Sequence, residues 1–437
     1  MTRAALMGSV ALWMGGLAQG AAAQGAGDAA TIEALQAQMA ELTRQLEELK
    51  QKQAAQDRLI AEQKAEVAAL PAAAATAPAN VVTGGDKPGS FKLPGTNTSI
   101  KIGGYVKGDL IYDADADLGD TFAASLIPAD GSVADRREGH TRVHARQSRI
   151  NLQTWTPSDY GEVHTFIEGD FFGSGGNEVL SNSTSFRLRH AYGEIGPALA
   201  GQTWSNFMFL DSYPGTVDFF GPAGIPFLRQ GQVRYTFTPS DKLQVSVSAE
   251  NSELTAIADT TGDGLADSTL GSTRRGADDL QFGIDTLPDF TARATYRDDW
   301  GAASLSGVLR KLDVDDGGAI DNSETGWAIL AAGVLNMNRL TPALGNDTLV
   351  GNFTYGEGAG RYIINGFNND AFLDSTGRLD TIESWGFAGA YTHHWSDKWS
   401  SGVVYGHYEV DDTFAPTATE SLDTVHLNLF WQPNDRA

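Results

Sequence analysis

The fold of this chain is decided by the phrase Trp155-Thr156-Pro157-Ser158-Asp159, which returns as Phe237-Thr238-Pro239-Ser240-Asp241. A proline-free form stands at Trp395-Ser396-Asp397-Lys398, and a last copy stands at Trp431-Gln432-Pro433-Asn434-Asp435. Proline presets one torsion of a tight turn, and Asp or Ser bonds its own backbone, so each copy predicts a turn between antiparallel strands. The aromatic residue that opens each copy is typical of the membrane-interface girdle of a transmembrane β-barrel.

The segments between the turns alternate in polarity at every second residue. In one of them, Val245 and Val247 alternate with Ser246 and Ser248. A barrel presents such a polar face to the water inside it and the apolar face to lipid. A soluble β-sandwich would bury the apolar face instead.

The connections between the segments separate these two folds. Short turns, such as 157–160 and 239–241, alternate with long loops rich in Gly and Asp, such as 114–139 and 252–287. Short turns on one side and long loops on the other are typical of outer-membrane barrels, so the sequence predicts an all-β transmembrane barrel with about fourteen strands. The strands are placed near 100–112, 143–155, 161–172, 186–195, 199–206, 231–238, 242–251, 289–297, 302–312, 326–337, 347–355, 383–394, 399–409 and 422–431.

Three segments precede the barrel, which is assigned to 99–437. Residues 1–23 have the charged start, apolar stretch and A-x-A site of a secretory signal peptide. Residues 24–70 carry heptads that predict an α-helical coiled coil, and the narrow apolar stripe favours self-association into two or three strands. Residues 71–98 are rich in Ala, Pro, Gly and Thr and predict a flexible linker.

The composition excludes several classes of protein. The formal net charge of -24 over 437 residues argues against a nucleic-acid partner. No long apolar window follows the N-terminus, so no helical membrane span is predicted. The absence of cysteine is compatible with a periplasm-exposed protein.

The polar face of the early strands is rich in arginine. Guanidinium groups bind carboxylates through paired hydrogen bonds and stay charged, so a ring of them in the lumen selects anions. The alternative is that they only solvate the pore and pair with Glu162, Glu168 and Asp170. The candidate pore-lining residues are Arg146, Arg149, Arg187, Arg189, Arg234, Arg293, Arg297 and Arg310.

The loop Asn206–Gln230 is unusually apolar, with five phenylalanines, other large hydrophobic side chains and three prolines. An exposed loop of this kind would risk aggregation. We therefore expect it to fold inward, to narrow the channel and to place Asp211 and Asp218 opposite the arginines. A surface patch at an oligomer contact is the alternative.

Other motifs predict no catalysis. The loop Asp259–Asp267 loosely resembles a calcium loop but lacks its regular spacing, so an Asp/Gly turn without metal is the favoured interpretation. The chain has no nucleophile elbow, phosphate-binding glycine loop or metalloprotease helix. We therefore expect no enzyme activity, no cofactor and no metal site.

Five stretches of the chain match the text of a known family: Ile102–Lys107, Arg146–Arg149, Phe166–Phe172, Phe186–Tyr192 and Gly201–Phe207. Together they resemble the DcaP-like outer-membrane porins. The resemblance implies a trimeric, sixteen-stranded channel in the Gram-negative outer membrane that passes small anions such as dicarboxylates. It further implies contacts with outer-membrane lipid, with the barrel assembly machinery and with two more copies of the chain, through the periplasmic coiled coil and the barrel walls. By this resemblance, Arg146, Arg149, Arg187 and Arg189 line the pore and 206–230 is the inward loop.

The C-terminal end departs from this family. The family's barrels end on a strand with a final aromatic residue, whereas this chain ends in Gln432–Ala437. With about fourteen strands present and sixteen implied, we expect the last hairpin of the barrel to be missing. A complete fourteen-stranded barrel is the alternative.

The sequence therefore predicts an outer-membrane porin with an arginine-lined lumen for passive diffusion of small hydrophilic solutes, with a preference for anions. Two other classes of function stay open. The barrel could be mainly an anchor for an envelope-spanning tether, or it could be a barrel enzyme.

Overall fold

The computed structural model describes two parts of the chain. The signal peptide 1–23, most of the predicted coiled coil 24–70 and residues 71–81 of the predicted linker lie outside the described residues. The two parts belong to separate units, Met1–Ala79 and Asn80–Ala437. The described residues are 40–58 without 42, 46, 49 and 57, and 82–434 without 122–126, 129–130, 134, 138, 178, 180, 272–281, 364–368 and 415–419.

The first unit is helical wherever it is described. Arg44 forms ion pairs with Glu41 at 2.8 Å and with Glu48 at 3.6 Å. Such pairs, three and four residues apart, support an exposed helix. No helix among the described residues is long and apolar enough to cross a membrane. Assembly of this helix into a coiled coil stays a prediction.

The second unit is built almost entirely of β-strands, which we number in chain order. The first half holds β1 (Phe91–Lys92), β2 (Ser99–Tyr105), β3 (Asp109–Asp113), β4 (His140–His144), β5 (Arg149–Ser158), β6 (Gly161–Asn177), β7 (Ser183–Ile195), β8 (Ala198–Trp204), β9 (Arg229–Ser240), β10 (Leu243–Glu250) and β11 (Thr255–Ala258). The second half holds β12 (Ser268–Gly271), β13 (Gly283–Ile284), β14 (Asp289–Asp298), β15 (Gly301–Asp315), β16 (Asp321–Asn336), β17 (Thr348–Glu357), β18 (Ala371–Leu373), β19 (Leu379–Thr381), β20 (Glu383–His394), β21 (Trp399–Val410) and β22 (Ser421–Trp431).

The long strands form one antiparallel sheet whose neighbours follow the chain order. That order is β1-β2-β5-β6-β7-β8-β9-β10-β14-β15-β16-β17-β20-β21-β22, with β13 added to β15. Each predicted strand has a counterpart in this sheet. The first two are interrupted, because β3 and β4 form a separate hairpin beyond β2 and β5.

The sheet has two edges in the described part of the chain. One edge is β2, with the short β1 along its start, and the other is β22. Among the described residues β2 and β22 are not paired with each other, so the sheet is open there. Closure of the barrel and the missing last hairpin stay predictions.

The strands alternate between two faces, as predicted. In β15, Ser304, Ser306 and Arg310 are buried, whereas Leu305 and Leu309 are 60% and 55% exposed. We call the face with exposed apolar residues the outer face and the opposite one the inner face. Exposed leucines are favourable on the outer face only where lipid covers it.

The aromatic residues of the turn phrases do not all face the same way. Phe237 and Trp431 are 50% and 60% exposed on the outer face, where a girdle requires them. Trp155 is the exception, because it lies six residues after Arg149 in a strand without a register shift and so shares its inner face. The prediction that every turn aromatic belongs to the girdle was therefore wrong for Trp155.

The apolar loop between β8 and β9 crosses the inner face to the far end of the sheet. The backbone N–H of Val217 donates to Asn428 Oδ1 at 2.9 Å, and the N–H of Ala223 donates to Thr424 Oγ1 at 3.0 Å. Both acceptors lie on β22. Gly386 of β20 leaves room for the loop backbone, because a Cβ there would collide with the carbonyl oxygen of Gly224.

Two long loops, after β10 and after β17, meet in a second sheet of order β12-β11-β18-β19. Strands β11 and β18 pair in parallel, with Ile257 opposite Phe372. Leu254 and Leu379 of these loops pack in one buried apolar cluster with Leu312 of β15. This small sheet therefore rests on the long strands at the end where the long loops lie.

Arg310 holds both loops in place. Its Nε donates to Asp289 at 3.0 Å, and its Nη1 pairs with Asp370 at 2.8 Å. It also donates to the carbonyl oxygens of Gly358 at 3.0 Å and Glu253 at 2.7 Å. The three charged side chains have no exposed surface. The guanidinium is thus fully used for joining β15 to the loops.

We predict that Gly386→Ala unseats the inward loop. The added methyl group would overpack the contact with Gly224, which costs about 1–3 kcal/mol of unfolding free energy. Denaturant unfolding and limited proteolysis of the loop measure this effect. Gly351→Ala is the matched control, because its Cβ would meet nothing closer than 3.8 Å. Equal effects of the two variants would contradict the prediction.

We predict that Arg310→Met is strongly destabilising. It leaves Asp289 and Asp370 buried without their cation, and removal of one partner from a buried ion pair costs about 3–5 kcal/mol. Arg378→Met is the control, because Arg378 is 71% exposed where it pairs with Asp380, and surface changes stay within about 0.5 kcal/mol. A small loss for Arg310→Met in denaturant unfolding would count against the locking role.

Candidate functional site

Four arginines and two carboxylates gather on the inner face near the start of the apolar loop. The arginines come from β5, β7 and β9, and the carboxylates come from β6. Strand pairing explains the gathering, since the register places Asp170 opposite Arg187. We call this group the arginine cluster. It consists of Arg149, Arg187, Arg189, Arg229, Glu168 and Asp170.

Two of the arginines are neutralised by direct pairing. Arg187 donates to both carboxylate oxygens of Asp170, at 2.9 and 2.7 Å. Arg189 donates to Glu168 at 3.0 Å and to Asp170 at 2.8 Å. Both can reach the carboxylates because a register shift beside Glu168 leaves Arg189 as an extra residue in β7. Arg187 and Arg189 therefore follow the alternative given in the sequence analysis, in which the arginines pair with nearby carboxylates.

The other two arginines keep unused donors. Arg149 lies 3.7 Å from Glu168, and its Nε has no hydrogen-bond partner among the described residues. Arg229 stacks over Trp204 at 4.7 Å and over Phe227 at 5.8 Å. Its Nη1 likewise has no partner in the described part of the chain. With four guanidinium groups against two carboxylates, the cluster carries an excess of positive charge.

Arg229 was missed by the sequence analysis. It stands next to the last residue of the predicted loop 206–230, so it was counted with the loop and not with a strand. The signal that could have found it is its place two residues after Phe227 in a segment without acidic residues.

A second basic group lies further along the inner face. Arg297 of β14 pairs with Asp211 of the apolar loop, and the two side chains are 49% and 43% exposed. Arg293 of the same strand donates to the carbonyl oxygen of Met208. Arg234 lies between these strands and the arginine cluster, opposite Ser248 in the register of β9 and β10. Asp211 is thus paired with an arginine of β14.

Asp218 and Arg146 are placed differently. The Asp218 carboxylate accepts hydrogen bonds from the backbone N–H groups of Phe220 at 2.8 Å and Gly221 at 3.0 Å, so it caps its own turn. Its neighbour Phe219 is the residue that meets the arginine cluster, 5.8 Å from both Arg187 and Arg189. Arg146 pairs with Asp120, beyond the end of β3. Arg310, as described, is fully buried.

A buried carboxylate anchors the start of the apolar loop. Glu250 accepts hydrogen bonds from the Asn206 N–H at 2.7 Å, from Ser248 at 2.6 Å and from Gln230 at 2.6 Å. These neutral donors come from the loop and from both adjoining strands. Further along the loop, complete burial raises the pKa of the Tyr213 hydroxyl well above its ordinary value, so this group stays neutral. The loop is therefore fixed at its root.

The Asp259–Asp267 loop forms a closed turn. The Asp259 carboxylate accepts hydrogen bonds from the N–H groups of Thr261, Gly262 and Gly264 at 3.0, 2.6 and 2.8 Å. Burial raises the pKa of Asp259, but these backbone donors outweigh it and lower the pKa below its usual value. Among the described residues no three His, Asp or Glu side chains are placed to hold a metal ion.

The sequence and structure were compared with known proteins. Residues 87–429 match the model of a porin family, described as the porin subfamily. The outer membrane channel DcaP of Acinetobacter baumannii is similar in fold, with a TM-score of 0.64 and 22% identity over 79% of this chain and 89% of that one. An anion-selective porin from Comamonas acidovorans has a TM-score of 0.46 and 14% identity over 77% and 85% of the two chains. A search of curated proteins found no match.

The match to the family model extends over most of the chain and contains the arginine cluster, the apolar loop and nearly all the long strands. The similarity to a solved outer-membrane channel supports the same fold. The exposed apolar outer face and the polar inner face agree with both. The chain belongs to the porin subfamily and is an outer-membrane β-barrel channel protein.

Proposed function

We propose that this porin lets small hydrophilic solutes diffuse passively and favours anions such as dicarboxylates. The observation that carries the proposal is the charge balance of the arginine cluster. Its four guanidinium groups face only two carboxylates, so a solute that reaches the cluster meets net positive charge. Local positive charge in a narrow, low-dielectric passage attracts anions and repels cations.

The guanidinium groups of Arg149 and Arg229, whose side chains are partly exposed, supply the contact. A guanidinium fork binds a carboxylate through parallel hydrogen bonds, and it stays charged at every physiological pH. Two such groups suit a solute with two carboxylates. Arg187 and Arg189 contribute less to binding, because Asp170 and Glu168 already occupy their donors. The second basic group, at Arg234, Arg293 and Arg297, extends the attraction along the inner face.

The apolar loop forms the constriction in this proposal. It leaves β8, crosses the inner face and reaches β22, so it lies in the path of a solute. Its Phe219 approaches Arg187 and Arg189. Its Asp211 pairs with Arg297 and so partly neutralises the positive charge of that side chain. Arg310 takes no part in conduction, because its side chain has no exposed surface.

We further propose a homotrimer, in contact with outer-membrane lipid on the rest of its wall. The wall is low at β8, whose seven residues span only about 18 Å at the usual rise and barrel tilt. The apolar band of an outer-membrane barrel is about 25 Å tall. Beside it, the pairing of β8 with β7 covers only Ala191–Ile195 in the described chain, and lipid cannot satisfy an unpaired strand edge.

The side chains on this low wall also fit a protein neighbour. The outer-face positions of β8 before its last residue are the small Ala198 and Ala200 and the polar Gln202. At the end of the strand Trp204 leaves this series, because its ring packs against His190 of β7 and Phe227 of the apolar loop. On β15 the corresponding face carries Leu305 and Leu309. Small and polar residues pack well against another copy, whereas lipid requires the larger apolar ones. A coiled coil of the kind predicted for 24–70 would also hold three copies together.

The two alternative functions, a tether and a barrel enzyme, predict different measurements. A tether needs no open lumen, and a barrel enzyme needs a catalytic group acting on lipid or peptide. Assembly into the membrane by the barrel assembly machinery is expected in all three cases. Conductance therefore distinguishes the channel from both alternatives.

We predict that the purified protein forms open channels in planar bilayers and that a KCl gradient gives a reversal potential favouring chloride. Arg229→Gln should lower the chloride-to-potassium permeability ratio about fivefold, which corresponds to an interaction on the order of 1 kcal/mol. Uptake of succinate in liposome swelling should fall in parallel. The exposed Arg378→Gln removes the same charge away from the cluster and should change neither measurement.

Two outcomes would contradict this proposal. A correctly folded protein without open channels would favour the tether. A wild-type channel that prefers potassium would leave the porin fold but remove the anion preference.

We predict that Ala200→Trp weakens the trimer, because the large ring would separate the packed walls. Light scattering of the detergent-solubilised protein should show a smaller trimer fraction than in the wild type. Ala303→Trp, on the exposed outer face of β15, is the matched control and should leave the trimer intact. A monomeric wild type, or an unaffected Ala200→Trp variant, would refute the assignment of this wall.

A further inference from the structure

A chain of aromatic rings runs along the inner face from the short turns to the arginine cluster. Successive ring centroids are 5.2, 6.2, 5.6, 5.9 and 5.5 Å apart, so each ring contacts the next. We call this chain the aromatic track. Its rings, in order, are Trp155, His164, Tyr192, Phe166, His190 and Trp204.

The strand register explains why these rings share one face. Trp155 pairs with His164 across β5 and β6, and Phe166 pairs with Tyr192 across β6 and β7. They alternate with outer-face residues such as Ile167, which is 48% exposed. The track is therefore built from neighbouring inner-face positions of three strands and ends on β8.

Such a chain is unusual on the inner face of a porin. The lumen side of a porin is normally polar, because it faces water. The rings do not form a closed core either, since all of them except His190 keep part of their surface exposed. They are not the membrane girdle, because girdle residues such as Trp431 lie on the outer face. Partly exposed rings on a water-filled lumen suit binding of a solute.

The track leads directly to positive charge. Its last ring, Trp204, lies under Arg229 at 4.7 Å and near Arg189 at 5.9 Å. A solute ring on the track would thus find a guanidinium group within reach of an attached carboxylate. Aromatic rings stack on one another with centroids about 4.5–7 Å apart, which is the spacing that the track already has.

We propose that the aromatic track binds the flat ring of aromatic monocarboxylates while the arginine cluster holds their carboxylate. This inference rests on the proposed anion channel and adds a preference to it, for a planar ring over a non-planar body of the same charge. Stacking of the solute ring supplies that preference, because a saturated ring has no π-face that could stack on Tyr192 or Phe166.

The test uses the full chain in planar bilayers with chloride as the current carrier. Benzoate and cyclohexanecarboxylate are the two probes, since they share the charge and the six-membered ring and differ in planarity. We expect benzoate to reduce the current by half at a concentration about three- to tenfold lower than cyclohexanecarboxylate does. Tyr192→Leu should abolish this difference, whereas Tyr192→Phe, which keeps the ring, should retain it.

Two further variants control for folding and for position. Tyr296→Leu removes a tyrosine that is 42% exposed on the outer face, and it should leave the probe difference unchanged. If Tyr192→Leu does not fold, Trp155→Leu at the other end of the track takes its place, with the same expected loss.

The outcomes separate this inference from the proposed function. An anion-selective wild-type channel that does not distinguish the two probes would overturn the aromatic track and leave the anion channel standing. A probe difference that survives in Tyr192→Leu and in Trp155→Leu would also overturn it. A wild type without anion preference would overturn both.

Discussion

The structure depends on one constraint, that side chains alternate between lipid and lumen along every long strand. Leu305 and Leu309 of β15 face outward, while Ser304, Ser306 and Arg310 face inward. Any charge on the strands must therefore either be paired or lie on the inner face, because lipid would not solvate it. This constraint brings the arginines of separate strands onto one surface, and it also brings Trp155, Phe166 and Tyr192 onto that surface.

Pairing then decides what each inner-face charge does. Asp170 is fully buried between Arg187 and Arg189 and uses their donors, so these residues mainly hold β6 to β7. Arg310 has a similar structural role, because its donors hold the loops after β10 and β17. The charge that is left over lies at Arg149 and Arg229. A tally of inward arginines would overestimate the binding capacity of the lumen, because it ignores these partners.

The apolar loop shows why part of the site could not be predicted. Its composition indicated an inward position, and the hydrogen bonds of Val217 and Ala223 to β22 agree with that. Its two acidic residues nevertheless differ, because Asp211 reaches Arg297 whereas Asp218 caps its own turn. The hydrogen bonds to β22 join residues about two hundred positions apart, and the pair of Asp211 and Arg297 joins residues 86 positions apart. Local patterns carry no information about such contacts.

The sequence by itself determined the number and approximate positions of the long strands, the two faces and most of the candidate arginines. It did so because period-two polarity and turn chemistry are local properties. Only the tertiary structure decided which arginines are neutralised, that Arg229 is a member of the cluster and that Trp155 belongs to an inner row of rings. These outcomes depend on strand register and on loops that return to the inner face from distant parts of the chain. Alternation places a side chain on one face but does not say which residues it contacts there, and long-range packing decides that.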